Sequence, residues 1–359
     1  MEIRSHRGSY VVHFESDRAA TLARLQSRHT QSGRVHWVVD SRVAELHGEA
    51  LAPALSGGSV LRITASEESK DLRRIPDFIG ALVERGIRRD DRIVAIGGGI
   101  IQDIACFISS CLFRGVEWAY MPTTLLAQAD SCIGSKSSIN CGGVKNLVGT
   151  FTPPSRIAIC PEFLTTLDES DVRSGIGEML KVHAIAGPAE FAAISKELGH
   201  LAPGNPRLAH FIRRSLEIKK TFAESDEFDR GIRNLLNYGH SFGHAIEAAT
   251  DFAVPHGIAV TMGMDLANWT AMRLGRIQEA EYARMREPLF RNSGPQLSAR
   301  VPFDRFLDAL SKDKKNTATQ LALILPSTGM KIEKVLTTND EAFREICRTW
   351  FDEARRAPL

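Results

Sequence analysis

The sequence predicts a two-part α/β protein, with an N-terminal half built on a mostly parallel sheet covered by helices and a mostly α-helical half after it. Three observations carry that expectation. Short segments rich in Val and Ile alternate with segments of helical spacing up to about residue 160. After Pro161 the texture changes to long helical stretches. The chain has 359 residues, 43% hydrophobic and 25% charged, which is enough for two domains with a sizeable core.

In chain order, YVVHF, VHWVVD, VLRITAS, DRIVAIGGG, VEWAYMPTT and RIAICP read as strands, each short and bounded by Gly, Pro, Asp or Ser. ATLARLQSRH and IPDFIGALVERG, between them, place apolar residues at helical intervals. Beyond Pro161, TLDESDVRSGIGEMLKVHAIAG, HFIRRSLEIKKTFAESD, RNLLNYGHSFGHAIE, HGIAVTMGMDLANWTAMRLG and the segment from Asp304 to Lys312 read as helices. LALILPS alone reads as a late strand. The boundary is placed near residue 160, giving domains 1–160 and 161–359, and a cleft between two such halves is a usual place for a ligand.

Lys and Arg number 45 against 43 Asp and Glu, a net charge of +2, so bulk charge gives no reason to expect nucleic acid or an anionic membrane. MEIRSHRGSYVVHF has no long apolar core behind its basic residues, and no apolar run approaches the roughly 20 residues that cross a bilayer. A cytoplasmic location without a membrane partner is the expectation. Cys106, Cys111, Cys132, Cys141, Cys160 and Cys347 form no CxxC pair and suggest neither a disulfide framework nor a thiolate zinc site; most are expected to be buried thiols.

The chemistry gathers in a few stretches. If RNLLNYGHSFGHAIE is one helix at about 100° per residue, Arg233, Asn237, His240 and His244 fall within roughly 60° of one another, with Leu235, Leu236, Phe242 and Ile246 opposite. A merely solvated face would be richer in Lys and Glu. The spacing is not HExxH, because no Glu follows the first His. Glu178, in GIGEMLK, has Lys181 one turn later, and His256 opens another apolar segment. One carboxylate and two imidazoles suit zinc and leave positions open for substrate oxygens, whereas a Glu near a Lys on a helix is most often only an ion pair.

VAIGGGIIQD runs a strand into three glycines and then a helix, the arrangement in which backbone N–H groups approach a pyrophosphate, although it is not GxGxxG and such turns are often plain connections. PTTLLAQADS and IGSKSSINCGGVKN read as loops bearing Asp130, Lys136, Asn140, Lys145 and Asn146, where cations amid Gly, Ser and Asn suit a phosphate or carboxylate. Lys314, in SKDKKN, sits in a charged cluster of the kind that is usually solvated.

GGGIIQD, FRGVEWAYMPTTLLAQADSCIGSK, GGVKNLVGTF, TLDESDVRSGIGEMLK and RNLLNYGHSFGHAIEA, in this order and at these separations, resemble the 3-dehydroquinate synthases within the wider sugar phosphate cyclases, from about Glu67 to Lys315. The resemblance implies a Rossmann-like NAD-binding domain, a helical metal- and substrate-binding domain, and an active site in the cleft between them. It makes Glu178, His240 and His256 the ligands of a divalent metal, zinc first and cobalt second. It assigns NAD to Glu67, Lys70, Gly98, Gly99, Asp103, Thr123, Thr124, Asp130 and Thr166. Lys136, Lys181, Lys219, Arg233, Asn237 and His244 match catalytic positions, and Lys145, Asn146 and Lys314 match substrate-binding ones. Arg114 matches an arginine that reaches the phosphate in the neighbouring subunit, which implies a homodimer.

The implied activity is the cyclisation of 3-deoxy-arabino-heptulosonate 7-phosphate to 3-dehydroquinate by transient oxidation, phosphate elimination, reduction and intramolecular aldol addition. Gln102 stands where the family mostly has Gly, Ser135 and Ser137 stand where GGKT is usual, and VVDSR differs from the usual TDxN. These departures fall on the cofactor side. Arg233, Asn237, His244 and Lys314, which tend to change in cyclases acting on sedoheptulose 7-phosphate or glucose 6-phosphate, are retained. Three alternatives stay open: a cyclase for another sugar phosphate such as sedoheptulose 7-phosphate, a non-cyclising metal-dependent alcohol dehydrogenase, and a silent binding paralogue.

Overall fold

The structure, a computed structural model, describes residues 1–26, 33–56, 59–313 and 315–357. It divides into two compact units, Met1–Leu167 with Lys219–Phe228, and Asp168–Ile218 with Asp229–Leu359.

The first unit is built on strands β1 (Glu2–Ser5), β2 (Gly8–Phe14), β3 (Val35–Asp40), β4 (Val60–Ile63), β5 (Arg92–Gly97), β6 (Glu117–Pro122), β7 (Ile139–Cys141), β8 (Val144–Val148) and β9 (Arg156–Ile159). Seven of them form one sheet in the order β1-β2-β9-β6-β5-β3-β4, parallel throughout except for β1 against β2. Helices α1 (Arg18–Gln26), α2 (Ser41–Leu46), α3 (Gly48–Leu55), α4 (Ile75–Glu84) and α5 (Gly99–Cys111) accompany it. All six residues of β5 are buried, as a strand covered on both faces requires. Leu22 and Leu25 of α1 and Leu51 and Ala54 of α3 pack on Trp37, Val39, Val94, Ile96, Ala119 and Met121 of the sheet. From β3 the chain steps outward to β4 and returns to β5 on the other side of β3, so a topological switch point opens at the carboxyl ends of β3 and β5.

Two stretches read as loops are ordered elements. INCGGVKN is the β7–β8 hairpin, turned by Gly142 and Gly143 at φ 59° and 79°, the positive pair that a two-residue primed turn needs. PTTLLAQADS contains a single π-helical turn, Ala127–Ser131. β1 also went unread, since EIRS carries only one buried residue, Ile3.

The second unit contains α6 (Glu169–Ala186), α7 (Pro188–Glu197), the first part of α8 (Pro206–Ser225), α9 (His240–Ala249), α10 (His256–Arg273), α11 (Glu279–Ser293), α12 (Phe303–Ser311), a hairpin of β10 (Leu321–Ser327) and β11 (Lys331–Thr337), and α13 (Glu341–Asp352). LALILPS is therefore not the only late strand. KIEKVLT pairs with it along its whole length, and charged residues on both of its faces, Lys331 and Glu333 on one and Lys334 on the other, disguised the alternation. The division also differs from a single boundary near residue 160. It falls at Leu167, and the end of α8 returns to the first unit, where Lys219 Nζ donates to the Asp130 carbonyl at 2.6 Å and Glu224 accepts from the Arg4 N–H at 2.8 Å.

α10 is the buried axis of the second unit, with 14 of its 18 residues buried, the behaviour of a helix that is apolar nearly all round. Close packing on it requires glycine. A Cβ on Gly257 would stand 1.9 Å from the Ser174 carbonyl oxygen, and one on Gly263 2.1 Å from that of Gly239. Asp265 is also buried on α10, where it accepts from Trp350 Nε1 at 2.9 Å with Arg286 Nε at 3.9 Å. Burial raises its carboxyl from 3.8 to about 6. A raised carboxylate favours the folded state while it is protonated, so the stability it contributes falls as pH rises from about 4 through about 6. Two units at 1.36 kcal/mol each set the size at about 3 kcal/mol. Asp265→Asn is expected to remove that dependence in denaturant titrations at pH 5 and pH 8; an unchanged pH dependence would assign it elsewhere.

RNLLNYGHSFGHAIE is not one helix. Ile232–Asn237 forms a 3-10 turn, and α9 begins only at His240, after Gly239 at φ 77°. A Cβ on Gly239 would lie 2.6 Å from both Met264 Cγ and the Val260 carbonyl oxygen. The four polar residues therefore do not form one helical stripe. Gly239→Ala combines a left-handed backbone with overpacking, so it is expected to cost about 2–5 kcal/mol, read as a fall in the unfolding midpoint.

Among the described residues no helix is long and apolar enough to cross a membrane. Cys106, Cys132, Cys160 and Cys347 are buried thiols, Cys141 is half-buried and Cys111 is exposed.

Candidate metal centre and nucleotide turn

The second unit brings Glu178, His240 and His256 together from three helices. Gly257 makes the crossing of α6 and α10 close enough that its own N–H donates to Ser174 Oγ at 2.9 Å, and this sets His256 beside Glu178. His256 Nε2 lies 3.4 Å and His240 Nε2 3.7 Å from Glu178 Oε1. That oxygen is buried and has no hydrogen-bond partner. Two donors bound to a tetrahedral zinc at 2.0–2.1 Å stand roughly 3.4 Å apart, so this orphaned oxygen and the two facing nitrogens fit a metal ion.

The other ring nitrogens are already engaged: His240 Nδ1 lies 3.3 Å from the Tyr238 carbonyl, and His256 Nδ1 lies 3.0 Å from Glu247 Oε2. Each engagement leaves Nε2 for the metal. His244 joins the group, with ring centroids 5.3 Å from His240 and 5.7 Å from His256, and the three imidazoles can offer nitrogens within 4.8 Å of one another. His244 is exposed, unlike Glu178 at 1%.

The electrostatics suit a cation. Burial would raise the Glu178 carboxyl, but the Lys181 ammonium, bonded to Glu178 Oε2, leads the opposing charges that hold it well below the usual carboxylate range. Burial, then Lys181, keeps His240 neutral by pushing it well below its usual value. Burial also depresses His256, but Glu178 and Glu247 outweigh it and lift the imidazole to about 10. A metal ion would take the place of that proton. Glu247 was missed as a site residue because nothing in its spacing pairs it with His256. As the carboxylate that orients this ligand, it should matter for binding: Glu247→Gln is expected to weaken metal affinity about 10–100-fold in chelator competition, and unchanged affinity would reduce it to a structural contact.

Arg233 is buried at 6% and sits on the 3-10 turn before the metal helix, and Asn237 Nδ2 donates to the Asn234 carbonyl at 3.0 Å. Lys314 lies outside the described residues.

In the first unit the carboxyl ends of β5 and β6 set Gly98–Gly99 beside Thr123–Thr124, with the Thr123 N–H bonded to the Gly97 carbonyl at 3.0 Å. A Cβ on Gly98 would meet Thr124 Cγ2 at 2.9 Å, so this position must stay bare. Thr123 Oγ1 is buried without a hydrogen-bond partner. A bare turn at the N-terminus of α5 and an unmatched hydroxyl beside it fit a pyrophosphate-bearing cofactor.

Residues assigned separately to cofactor and substrate form one network. Lys70 Nζ bonds Asp103 Oδ2 at 2.6 Å and Asn146 Oδ1 at 2.8 Å, Asn140 Nδ2 donates to Glu67 Oε2 at 2.8 Å, and Lys145 Nζ lies 3.2 Å from Glu67 Oε1. The β7–β8 hairpin builds it, with Asn146 at φ 56°. Asp130, on the π turn, pairs with Lys219 at 3.0 Å. Lys136 Nζ stands 6.0 Å from the Phe151 ring centroid, the Thr166 hydroxyl lies 2.9 Å from His47 Nε2, and Arg114 is exposed at φ 65°.

The departures have local explanations. Gln102 and Ser131 bond reciprocally, Nε2 to the Ser131 carbonyl and Ser131 Oγ to Oε1, both at 2.7 Å. Ser137 Oγ accepts from the Thr150 N–H at 2.9 Å.

The parallel sheet with a glycine turn at its switch point, and the helical unit with a carboxylate–imidazole centre, define a two-unit protein of nucleotide- and metal-binding type. A family model described as 3-dehydroquinate synthase N-terminal matches residues 60–174, and one described as 3-dehydroquinate synthase C-terminal matches residues 175–316. The chain belongs to the 3-dehydroquinate synthase family. A 3-dehydroquinate synthase of Thermoanaerobacter sp. (strain X514) is 31% identical over 344 residues, 94% of this chain and 97% of that protein. Among solved structures, a 2-deoxy-scyllo-inosose synthase complexed with carbaglucose-6-phosphate, NAD+ and Co2+ aligns with a TM-score of 0.86 at 23% identity, covering 97% of this chain and 99% of the other. A 2-epi-5-epi-valiolone synthase from Streptomyces hygroscopicus subsp. jinggangensis 5008 with NAD+ and Zn2+ bound gives 0.80 at 27%, covering 95% and 96%.

Proposed function

We propose that the protein is a 3-dehydroquinate synthase, a carbon–oxygen lyase that converts 3-deoxy-arabino-heptulosonate 7-phosphate to 3-dehydroquinate and phosphate. The observation that supports it best is the orphaned Glu178 Oε1 facing His240 and His256, in a chain that matches both halves of the family. When bound, NAD supplies a transient hydride acceptor and the divalent metal, zinc or cobalt, a Lewis acid.

The protein's own groups do the rest. Glu178, His240 and His256 hold the metal, and Gly98, Gly99, Thr123 and Thr124 receive the cofactor's pyrophosphate with Glu67, Lys70, Asp103, Asp130 and Thr166 around it. Substrate and product are anionic, and Lys136, Lys145, Asn146 and Lys219, with Lys181, Arg233, Asn237 and Lys314, supply the cations and amides that hold carboxylate, hydroxyls and phosphate. His244, exposed beside the two ligand imidazoles, holds or relays a proton at its ring nitrogen. Arg114, exposed on its turn, reaches the phosphate of a second copy, so the working form is a homodimer, and sedimentation of the purified protein tests this directly.

The functional test offers the metal-loaded protein heptulosonate phosphate, sedoheptulose 7-phosphate and glucose 6-phosphate in parallel. Phosphate release from the first alone supports the reading. Preference for another sugar transfers the mechanism to a different substrate, and silence on all three overturns it.

A further inference from the structure

The segment just past α8 carries a second contact besides that of Lys219, and it meets the chain at one of its departures from the family. Ser135, where the family mostly has Gly, keeps the left-handed backbone that glycine would adopt freely, at φ 59°. Its hydroxyl donates to Glu227 Oε1 at 2.5 Å. The same carboxylate accepts from the His6 N–H at 2.7 Å and lies 3.0 Å from His6 Nδ1, at the β1–β2 turn. The preceding residue, Gly134, donates its N–H to Tyr10 Oη of β2 at 3.2 Å. The following residue, Lys136, pairs by a backbone bridge with Phe151, whose ring lies 5.1 Å from that of Phe228, the neighbour of Glu227. Three consecutive residues are thus tied to the N-terminal hairpin and the segment after α8, and Glu227 accepts from both Ser135 and His6.

We propose that Glu227, acting through Ser135, is a positioning residue that fixes the backbone presenting Lys136, a task left to a glycine-rich turn elsewhere in the family. A serine at positive φ is less favourable than glycine unless its side chain is held, and here a half-buried carboxylate holds it. The inference rests on the functional reading only in giving Lys136 to the anionic substrate.

Ser135→Gly, Glu227→Gln, Glu227→Ala and the double variant Ser135→Gly/Glu227→Ala test it. Ser135→Gly keeps the backbone permissible while deleting the hydroxyl, so it carries the test even if Glu227→Ala fails to fold. Both Ser135→Gly and Glu227→Ala are expected to raise KM for heptulosonate phosphate about tenfold, as for loss of one charge-assisted hydrogen bond, with KM for NAD and bound metal unchanged. The double variant should be no worse than the worse single one, and Glu227→Gln, which still accepts, should recover most of the loss. Amide exchange across residues 133–138 should speed by at least about tenfold in Glu227→Ala while α5 stays protected. Unchanged exchange in that segment, multiplicative effects in the double variant, or equal rises in KM for NAD would overturn the inference. If the unmodified protein turns over no heptulosonate phosphate, the functional reading fails by itself, and exchange still decides the positioning.

Discussion

Replacing His240 or His256 with alanine is expected to leave the protein with well under one divalent metal per subunit after dialysis, whereas His244→Ala should retain it. The difference follows from the geometry at Glu178. Its Oε1 has no other partner and is faced by His240 Nε2 at 3.7 Å and His256 Nε2 at 3.4 Å, while His244 is exposed on the rim. Loss of an outer carboxylate such as Glu247 costs roughly 10–100-fold in affinity, and loss of a ligand itself should exceed that. Activity should fall in all three variants, because His244 is assigned a proton, so metal content rather than turnover separates the roles. Full metal in both ligand variants, or its loss in His244→Ala, would sink the assignment.

The second large effect is expected at Lys181. Its ammonium and the Glu178 carboxylate have side chains only 3% and 2% exposed and are bonded to each other one helical turn apart. Removing one member of a buried pair strands the other charge, at about 3–5 kcal/mol. Because His256 also faces Glu178, Lys181→Met in metal-free protein should lose about 3 kcal/mol of unfolding free energy, the low end of that range. Saturating zinc should restore much of it, since the ion offers Glu178 another cation. Denaturant titrations with and without zinc decide the matter. A loss of the same size in both states would mean that Lys181 stabilises by packing and that no cation sits at Glu178.

Much of this architecture was legible in the sequence because it rests on local patterns. β3, β5 and β9 announce themselves as Val- and Ile-rich runs, β6 as a short apolar run with Trp118 and Tyr120, and α6 announces itself through Asp168, whose carboxylate caps the Asp171 N–H at 2.9 Å. What stayed hidden depended on tertiary contact. Gly239 falls inside the stretch that reads as one helix and is instead a boundary, because only glycine fits against Met264 at φ 77°. KIEKVLT carries Lys331, Glu333 and Lys334, and it is a strand because it pairs along its whole length with β10, six of whose seven residues are buried.

The site shows the same division. The spacings carried the individual polar residues, but only the fold shows that Gly257 brings His256 beside Glu178, or that Glu247 engages the far nitrogen of that ring. The return of Lys219–Phe228 to the first unit could not be read from a helix pattern that runs unbroken through Ile218. Nor could the partnership of Ser135 with Glu227, 92 residues apart, be read from a substitution at a glycine position.

In the proposed reaction NAD would take up a hydride and return it within one turnover, so phosphate would leave the substrate without net reduction of the cofactor. The most direct measurement is the ratio of phosphate released to NADH retained, with metal-loaded protein, excess heptulosonate phosphate and NAD far below the substrate. Many phosphates per NAD with no lasting NADH is the expected result. NADH accumulating in proportion to substrate consumed, without phosphate, would contradict it and make the protein a dehydrogenase.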